Sequence, residues 1–252
     1  MSTILIDGKE IFYEVLGAGP SLLMIHGSFS THHLWDNQHP LTKHSQLVLL
    51  DLPGHGASDP LDGEITVQRF VKILARFIEE LELQKVVPVG HSLGGAIALQ
   101  LALDYPILLG GIVLVGSGAK LGVLPATLEG LRTDFSTGVD LVISQMGFAS
   151  KADPQQVTLV KEEAKRCNPK IGYADFFACS QFDIRDRIPE IQVPTLVLVG
   201  DQDQLTPVKW SNWLAANIEK AELEIIPQAG HYVMIEQPVQ VNQAITSFIN
   251  KI

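Results

Sequence analysis

The sequence predicts an α/β protein whose sheet is mostly parallel and covered by helices on both faces. The strand-like runs, such as residues 21–25 and 112–115, are apolar throughout instead of alternating with polar residues, as strands buried on both faces are. Between such runs lie helical patterns, such as the apolar stripe of residues 67–81 behind the capping residue Thr66. Strands that alternate with helices along a chain are typical of a parallel sheet.

The elements follow this alternation at both ends of the chain but not in the middle. After a hairpin around Asp7-Gly8, strands are predicted at residues 21–25, 46–50, 86–90 and 112–115, with helices at 67–81 and 93–103. Strand and helix return at residues 195–199, 208–217, 223–226 and 239–249. Residues 119–185 instead contain only helical patterns, at 126–135, 139–146, 154–166 and 173–182. We therefore predict a core of residues 1–118 and 186–252 that carries a helical cap of residues 119–185.

Composition excludes several classes of protein. The chain has 252 residues, of which 46% are hydrophobic and 18% charged, so it is not a disordered chain. Its formal charge of −10 comes without a basic stripe, and we expect no nucleic-acid partner. Two cysteines are too few for a disulfide framework or a cysteine-based zinc site. We see neither a signal-peptide pattern nor a run of about 18 apolar residues, and we expect a cytoplasmic protein without a membrane span.

One serine lies in a pattern that carries chemistry. Ser92 stands in Gly90-His91-Ser92-Leu93-Gly94, between a predicted strand and a predicted helix. In that position G-x-S-x-G predicts a nucleophile elbow, which needs small neighbours and exposes the hydroxyl at a helix N-terminus. The alternative is a serine that only caps the helix.

A serine nucleophile needs a base, and the base needs an acid. Of the eight histidines, His231 is the candidate base, because it follows a predicted strand in a loop where sites of parallel sheets gather. Two aspartates, Asp201 and Asp203, follow the strand at residues 195–199 and compete for the role of the acid. The order serine, aspartate, histidine is the one found in α/β-hydrolases.

The segment His26-Gly27-Ser28-Phe29 follows the strand at residues 21–25. Gly27 permits a sharp turn, so the backbone N–H groups of Ser28 and Leu93 are the expected oxyanion donors. We interpret His26 as a structural turn residue.

No pattern in the sequence indicates a cofactor or a metal. The glycine-rich residues 51–59 match neither phosphate-binding motif, and the chain has no H-E-x-x-H. We therefore expect neither a cofactor nor a catalytic metal.

These motifs together resemble the α/β-hydrolase fold family. The resemblance is carried by the His26-Gly27 turn, the loop at 51–59, and residues 90–95, 200–207 and 230–231. It implies an eight-stranded sheet with a helical cap after the sixth core strand, and it favours Asp203 as the acid, with Asp201 as its rival. Members with a serine nucleophile include carboxylesterases, lactonases and C–C bond hydrolases. Dehalogenases and epoxide hydrolases of this fold use aspartate instead, so Ser92 argues against both.

The leading hypothesis is hydrolysis of a small or medium carboxylic ester through an acyl-enzyme. Phe29, Met146 and Phe148 are the candidate substrate contacts, and the partner is the ester itself; the sequence does not predict an oligomeric state. A second hypothesis is a C–C bond hydrolase, lactonase or lyase acting on a carboxylate-bearing substrate, which requires cations that face inward. A third is a binding protein that keeps the fold as a receptor. The cations available in the predicted cap are Arg132, Lys151, Lys161, Lys165, Arg166 and Lys170.

Overall fold

The structure is a computed structural model that describes residues 2–252; residue 1, which the sequence analysis assigns to the core, lies outside the described residues. The strands are β1 (Ser2–Ile6), β2 (Lys9–Gly17), β3 (Ser21–Ile25), β4 (Gln46–Leu50), β5 (Val87–His91), β6 (Ile112–Val115), β7 (Thr195–Gly200) and β8 (Ala221–Ile226). The α-helices are α1 (Val67–Glu80), α2 (Leu93–Asp104), α3 (Pro125–Thr133), α4 (Phe135–Asp140), α5 (Pro154–Arg166), α6 (Pro169–Gln181), α7 (Val208–Asn217), α8 (Val233–Glu236) and α9 (Pro238–Ile249). Shorter 3₁₀ segments cover His32–Lys43, Pro106–Leu108 and Arg185–Glu190, and Leu141–Gly147 is a π-helix.

Within residues 2–252 the strands form one sheet of eight in the order β1-β2-β4-β3-β5-β6-β7-β8. β2 pairs antiparallel with β1 and β4, and the other neighbours pair parallel. Asp7 and Gly8 both have positive φ, as a two-residue hairpin turn between β1 and β2 requires. The predicted fold class, a mostly parallel sheet with helices on both faces, is confirmed.

Alternate residues of the central strands point to two separate apolar cores. Leu23 and Ile25 of β3 pack with α1 and α2, whereas Leu22 and Met24 pack on the other face with α9 and the 3₁₀ segment His32–Lys43. Because both faces are covered, each residue along β3 after the first is buried, which is why these strands show no polar alternation.

The parallel strands end at the same edge of the sheet. β3, β5, β7 and β8 lead there into the loops that hold the candidate site residues. In open parallel sheets, sites form outside the carboxyl ends of the strands. The topology therefore gathers residues that lie far apart in the sequence.

Residues 119–185, here called the helical block, connect β6 to β7. The block leaves and rejoins the core where Lys120 and Asp183 form an isolated β-bridge. Its helices lie near the predicted positions, except that the segment predicted at 139–146 is divided between α4 and the π-helix Leu141–Gly147. Ala178, Cys179 and Phe182 anchor the end of the block in the core packed around α1 and α2. The division into a core and a cap remains a prediction.

Among residues 2–252, no helix combines the length and the apolar character that crossing a membrane requires.

Candidate active site

Ser92 lies at a sharp turn between β5 and α2, with φ of 52° and ψ of −113°. A non-glycine residue in this region is strained by about 1–3 kcal/mol. The turn needs glycine on both sides, because a Cβ on Gly90 would overlap the carbonyl of Gly94, and one on Gly94 would overlap the carbonyl of Ile25. Within residues 2–252 the Ser92 side chain makes no capping hydrogen bond to α2, so the capping interpretation has no support.

The strained turn is braced by a second serine that the sequence did not single out. Ser117 Oγ donates to the Ser92 carbonyl at 2.7 Å, and the Ser92 N–H donates to the Val115 carbonyl at 3.0 Å. The Ser117 side chain also lies directly against Gly95. The end of β6 and the loop after it thus hold the backbone of Ser92 in place.

His231 and Asp203 form a buried pair. His231 Nδ1 lies 2.9 Å from Asp203 Oδ2, and both side chains are almost fully buried. Because an ionised carboxylate only accepts hydrogen bonds, Nδ1 carries the proton in this pair and Nε2 keeps its lone pair. That is the tautomer a general base needs.

Thr206 completes the surroundings of Asp203. Oδ1 accepts from the N–H groups of Leu205 at 2.9 Å and Thr206 at 2.8 Å, and Oδ2 also accepts from the Thr206 hydroxyl at 2.7 Å. Burial alone would raise the pKa of Asp203, but the His231 imidazole and the Thr206 donors hold that pKa below its ordinary value. The carboxylate therefore stays ionised beside His231.

Asp201, the alternative acid, lies elsewhere. Its Oδ1 accepts from the Ala229 N–H at 3.3 Å, and the residue is exposed. Asp201 thus ties the loop after β7 to the loop after β8, and in the structure it is Asp203 that reaches His231.

Glu236 positions the His231 loop, a role that no local pattern in the sequence indicates. Its carboxylate accepts from the N–H of Gly230 at 2.8 Å and from that of Ala149 at 2.9 Å. The His231 N–H donates in turn to the carbonyl of Gly147, the last residue of the π-helix, at 2.9 Å. Two of these hydrogen bonds join the middle of the helical block to the His231 side of the site: Gly147 accepts from His231, and Ala149 donates to Glu236.

Ser92 and His231 line one small cavity of about 60 Å³. Ser28 lies in its wall, and the Gly27 Cα approaches Ser92 so closely that a Cβ on Gly27 would lie 3.2 Å from the Ser92 Cβ. Leu93 is the first residue of α2, and the first N–H groups of a helix have no partner within it. The remaining lining residues are Phe29, His91, Leu121, Gly122, Val123, Val142, Phe176, Cys179, Leu205, Thr206 and Tyr232.

The cavity is largely apolar. Among the described residues, those that line it include no Lys, Arg, Asp or Glu. The His91 ring lies 4.6 Å from the His231 ring, tilted by 53°. Burial together with His231 lowers the pKa of His91 well below its ordinary value, so this second imidazole is neutral. A substrate that presents a carboxylate to this cavity would find no opposite charge there.

Only one of the three residues proposed as substrate contacts lines this cavity. Phe29 is in the wall, whereas Met146 and Phe148 do not belong to the described lining. Phe148 is buried against Tyr232, with ring centroids 4.9 Å apart. Val142, one turn earlier on the π-helix, takes the place at the cavity wall that we expected Met146 to occupy.

The two cysteines differ in their position relative to the cavity, a difference that the sequence did not indicate. Cys179 of α6 lines the cavity. Burial raises the pKa of the Cys179 thiol, so it stays protonated and acts as an apolar wall residue. Cys167 lies at the outer end of α5, outside the described lining.

His26 connects the two glycine-rich loops, as a structural turn residue does. Its Nδ1 donates to the Gly27 carbonyl at 2.8 Å, and its Nε2 accepts from the Leu52 N–H at 2.9 Å. Burial and the nearby His55 lower the pKa of His26 to about 3, so the ring is neutral. Both ring nitrogens are thus used in holding the backbone next to Ser28.

Among residues 2–252, no three His, Cys, Asp or Glu side chains come together in a way that could hold a metal ion.

The chain is similar to proteins of one known family. The model of the alpha/beta hydrolase family matches residues 22–244. A pimeloyl-[acyl-carrier protein] methyl ester esterase of Nitrosospira multiformis is 29% identical, with 91% of this chain and 94% of the relative covered. A 2-hydroxy-6-oxo-6-(2'-aminophenyl)hexa-2,4-dienoic acid hydrolase of Metapseudomonas resinovorans is 30% identical, with coverages of 97% and 89%. The solved structure of a thermophilic esterase is 35% identical, with a TM-score of 0.88 and coverages of 99% and 97%.

Proposed function

Because the chain belongs to the alpha/beta hydrolase family, we propose that it is a serine esterase that hydrolyses small, uncharged carboxylic esters through an acyl-enzyme. The observation that carries the proposal is the buried Asp203–His231 pair, whose His231 lines a small cavity together with Ser92. In this proposal Ser92 is the nucleophile, His231 is the general base, and Asp203 is the acid that orients His231. Residues 119–185 would serve as the cap over this site.

In the acylation step, Ser92 Oγ attacks the ester carbonyl carbon while its proton passes to His231 Nε2. Asp203, ionised and hydrogen-bonded to Nδ1, stabilises the imidazolium that forms. The tetrahedral intermediate then expels the alcohol, which leaves with the proton from Nε2. The acyl group remains on Ser92.

In the deacylation step, water replaces the alcohol and the same groups act again. His231 Nε2 takes a proton from the water as its oxygen attacks the acyl carbon. The second tetrahedral intermediate releases the carboxylic acid, and the proton on Nε2 returns to Ser92 Oγ. The enzyme is then ready for another ester.

The oxyanion of each intermediate would be bound by the backbone N–H groups of Ser28 and Leu93. Two features support this role: the close approach of Gly27 to Ser92, and the position of Leu93 as the first residue of α2. Removing one such donor costs about 10²–10³-fold in kcat in other enzymes. Because the donors are backbone groups, side-chain substitutions at Ser28 should be tolerated.

The lining of the cavity distinguishes neutral esters from carboxylate-bearing substrates. A C–C bond hydrolase or lyase acting on an acid would profit from an inward-facing cation, and the described lining has none. Three cations of the helical block pair with acidic neighbours: Arg132 with Glu129 at 2.7 Å, and Lys161 and Lys165 with Asp140 at 3.5 Å and 2.9 Å. Small neutral esters therefore suit the site better than the acid named for the hydrolase of Metapseudomonas resinovorans.

The test compares wild type, Ser92→Ala and Ser28→Ala with p-nitrophenyl acetate. We expect Ser92→Ala to lower kcat on the order of 10⁶-fold. Ser28→Ala is the matched control, a serine in the same cavity wall that acts through its backbone, and it should stay within about tenfold of wild type. Turnover that survives in Ser92→Ala at the wild-type rate would refute the mechanism. Binding of the ester without any turnover by wild type would favour the receptor hypothesis.

A further inference from the structure

Three cavities meet at the side chain of Phe29. On one side is the cavity at Ser92, of about 60 Å³. On the other side are two larger cavities, of about 570 Å³ and 350 Å³, which we call together the outer groove. Phe29 is the residue that lines all three, whereas Tyr232 lines the cavity at Ser92 and only the smaller of the other two, so Phe29 separates the reacting serine from both larger cavities.

The Phe29 ring is held firmly in this position. It is 3% exposed, and its backbone has φ of 66°, in the left-handed region. The ring stacks on Phe176 with centroids 4.7 Å apart and meets Phe135 edge-on at 5.6 Å. A Cβ on Gly172 would lie 2.7 Å from both the Phe29 and the Phe135 rings, so α6 needs glycine there to let the rings pack. Because Phe176, Phe135 and Gly172 hold the Phe29 ring in place, the ring should limit the size of the acyl group that fits beside Ser92.

The outer groove runs between α5 and the segment that follows β3. Ser30, His33, Leu159 and Glu163 line both of its cavities, and the Thr31 hydroxyl donates to Glu163 at 2.6 Å across it. Its apolar surface includes side chains of both elements, among them Leu34, Leu159 and Val160, and Ile235 of α8 adds to it.

The charges of the outer groove are mainly negative. Asp36, Glu162 and Glu163 lie along it. The cations in its lining include Arg166 and, when it is protonated, His55, whose charge is balanced by Asp175. Such a groove accommodates a neutral chain and repels a terminal carboxylate. The groove therefore has the space and the chemistry for a neutral acyl chain longer than the cavity at Ser92 can hold.

We propose that Phe29 is the residue that determines ester size, and that the outer groove is the space into which a longer neutral acyl chain extends once the Phe29 ring is removed. The inference rests on the proposed esterase function, because it takes Ser92 as the reacting group. To that function the inference adds two points: the Phe29 side chain limits the length of the acyl group, and a longer acyl group would extend into the outer groove.

The experiment measures kcat/KM for p-nitrophenyl acetate and p-nitrophenyl octanoate in wild type and Phe29→Ala. Wild type should prefer the acetate. In Phe29→Ala the ratio of octanoate to acetate should rise about tenfold or more, as expected when several methylenes gain an apolar site. The p-nitrophenyl monoester of a dicarboxylic acid of the same length should gain less, because the groove is acidic; an equal gain would contradict the assigned charge preference.

Two further variants separate the size limit from general damage. Phe176→Ala removes the ring stacked on Phe29 and should raise the octanoate-to-acetate ratio by a smaller factor than Phe29→Ala does. If Phe29→Ala does not fold, the ratio in Phe176→Ala tests the size limit in its place. Phe177→Ala removes a neighbouring ring of α6 that lines neither the Ser92 cavity nor the outer groove, and it should leave the ratio unchanged.

The possible failures are distinguishable. If Phe29→Ala turns over both esters with the wild-type ratio, or loses both equally, the size-limit proposal is wrong while the esterase proposal stands. If acetate turnover persists in Ser92→Ala, the esterase proposal itself fails.

Discussion

His55 Nε2 lies 2.9 Å from Asp175 Oδ2, and both side chains are at most 1% exposed. His55 belongs to the loop after β4, and Asp175 lies in the middle of α6, so the pair joins the core to the helical block. His55 also packs on His26, with ring centroids 4.9 Å apart, and His26 holds the backbone beside Ser28. The buried pair therefore connects the position of the block to the candidate oxyanion loop.

Removing Asp175 should destabilise the protein strongly. Breaking a buried pair by taking away one partner typically costs about 3–5 kcal/mol, because the other group is left uncompensated. We expect Asp175→Ala to lower the free energy of unfolding by about this amount in urea titrations. The control is Glu222→Ala, which breaks the exposed Lys251–Glu222 pair and should have a far smaller effect. Equal losses of unfolding free energy in the two variants would show that the buried pair stabilises the protein no more than the exposed pair does.

The contribution of this pair should depend on pH. Burial opposes the charged form of His55, but the Asp175 carboxylate raises the pKa of His55 above its ordinary value of 6.5. A raised pKa in the folded state stabilises the fold fully below about pH 6.5, the unfolded value, and this contribution is lost as pH rises through the folded pKa. The stability difference between wild type and Asp175→Ala should therefore be larger at pH 6 than at pH 9. A difference independent of pH would contradict the ionised pair.

The two aspartates after β7 should differ sharply in their effect on turnover. Asp203→Asn removes the acceptor that sets the His231 tautomer, and kcat should fall on the order of 10⁴-fold. Asp201→Asn changes a side chain that only bonds the Ala229 N–H, and kcat should stay within about tenfold of wild type. Kinetics with p-nitrophenyl acetate compare the two directly. A larger loss in Asp201→Asn would transfer the role of the acid to Asp201.

Glu236 should act on turnover by positioning His231. Glu236→Ala frees the N–H groups of Gly230 and Ala149, and displacement of the His231 loop should lower kcat by up to about 10²-fold. Glu236→Gln keeps an acceptor oxygen and should restore part of the rate. Circular dichroism spectra confirm folding, and the rate of Glu236→Gln relative to Glu236→Ala is the decisive readout. Identical rates in the two variants would argue that the hydrogen bonds to Glu236 do not matter.

Local patterns explain why much of this site could be predicted. The turn at Ser92 needs Gly90 and Gly94 at fixed spacing, and this need is visible in the sequence because it is local. His231 follows a strand that a single apolar run reveals. The choice between Asp201 and Asp203, in contrast, came from the family resemblance, since both aspartates have the same local surroundings.

Contacts between distant segments explain what could not be predicted. Glu236, Ser117 and Cys179 act on groups from other elements, and nothing in their own neighbourhoods indicates it. Met146 and Phe148 were candidate substrate contacts because they lie on the segment just before the break at Ser150. Val142 of the π-helix lines the cavity instead, and Phe148 packs on Tyr232.

The same reason accounts for the elements that the sequence analysis left out. The 3₁₀ segment His32–Lys43 contains Pro40 and has no long apolar stripe, so no periodicity predicts it. It forms because Leu34, Trp35 and Leu41 pack against the sheet, next to α9. The short helix α8 is likewise only one turn long, below the length at which a helical pattern can be read.

The most direct test of the account is to identify the residue that becomes covalently modified. We predict that phenylmethylsulfonyl fluoride inactivates the enzyme with one label per chain, and that mass spectrometry of the digest places the label on Ser92. Ser92→Ala, with the same fold by circular dichroism, should take up no label. A stoichiometric label on any other residue, or labelling of Ser92→Ala to the same extent, would contradict the claim that Ser92 is the nucleophile.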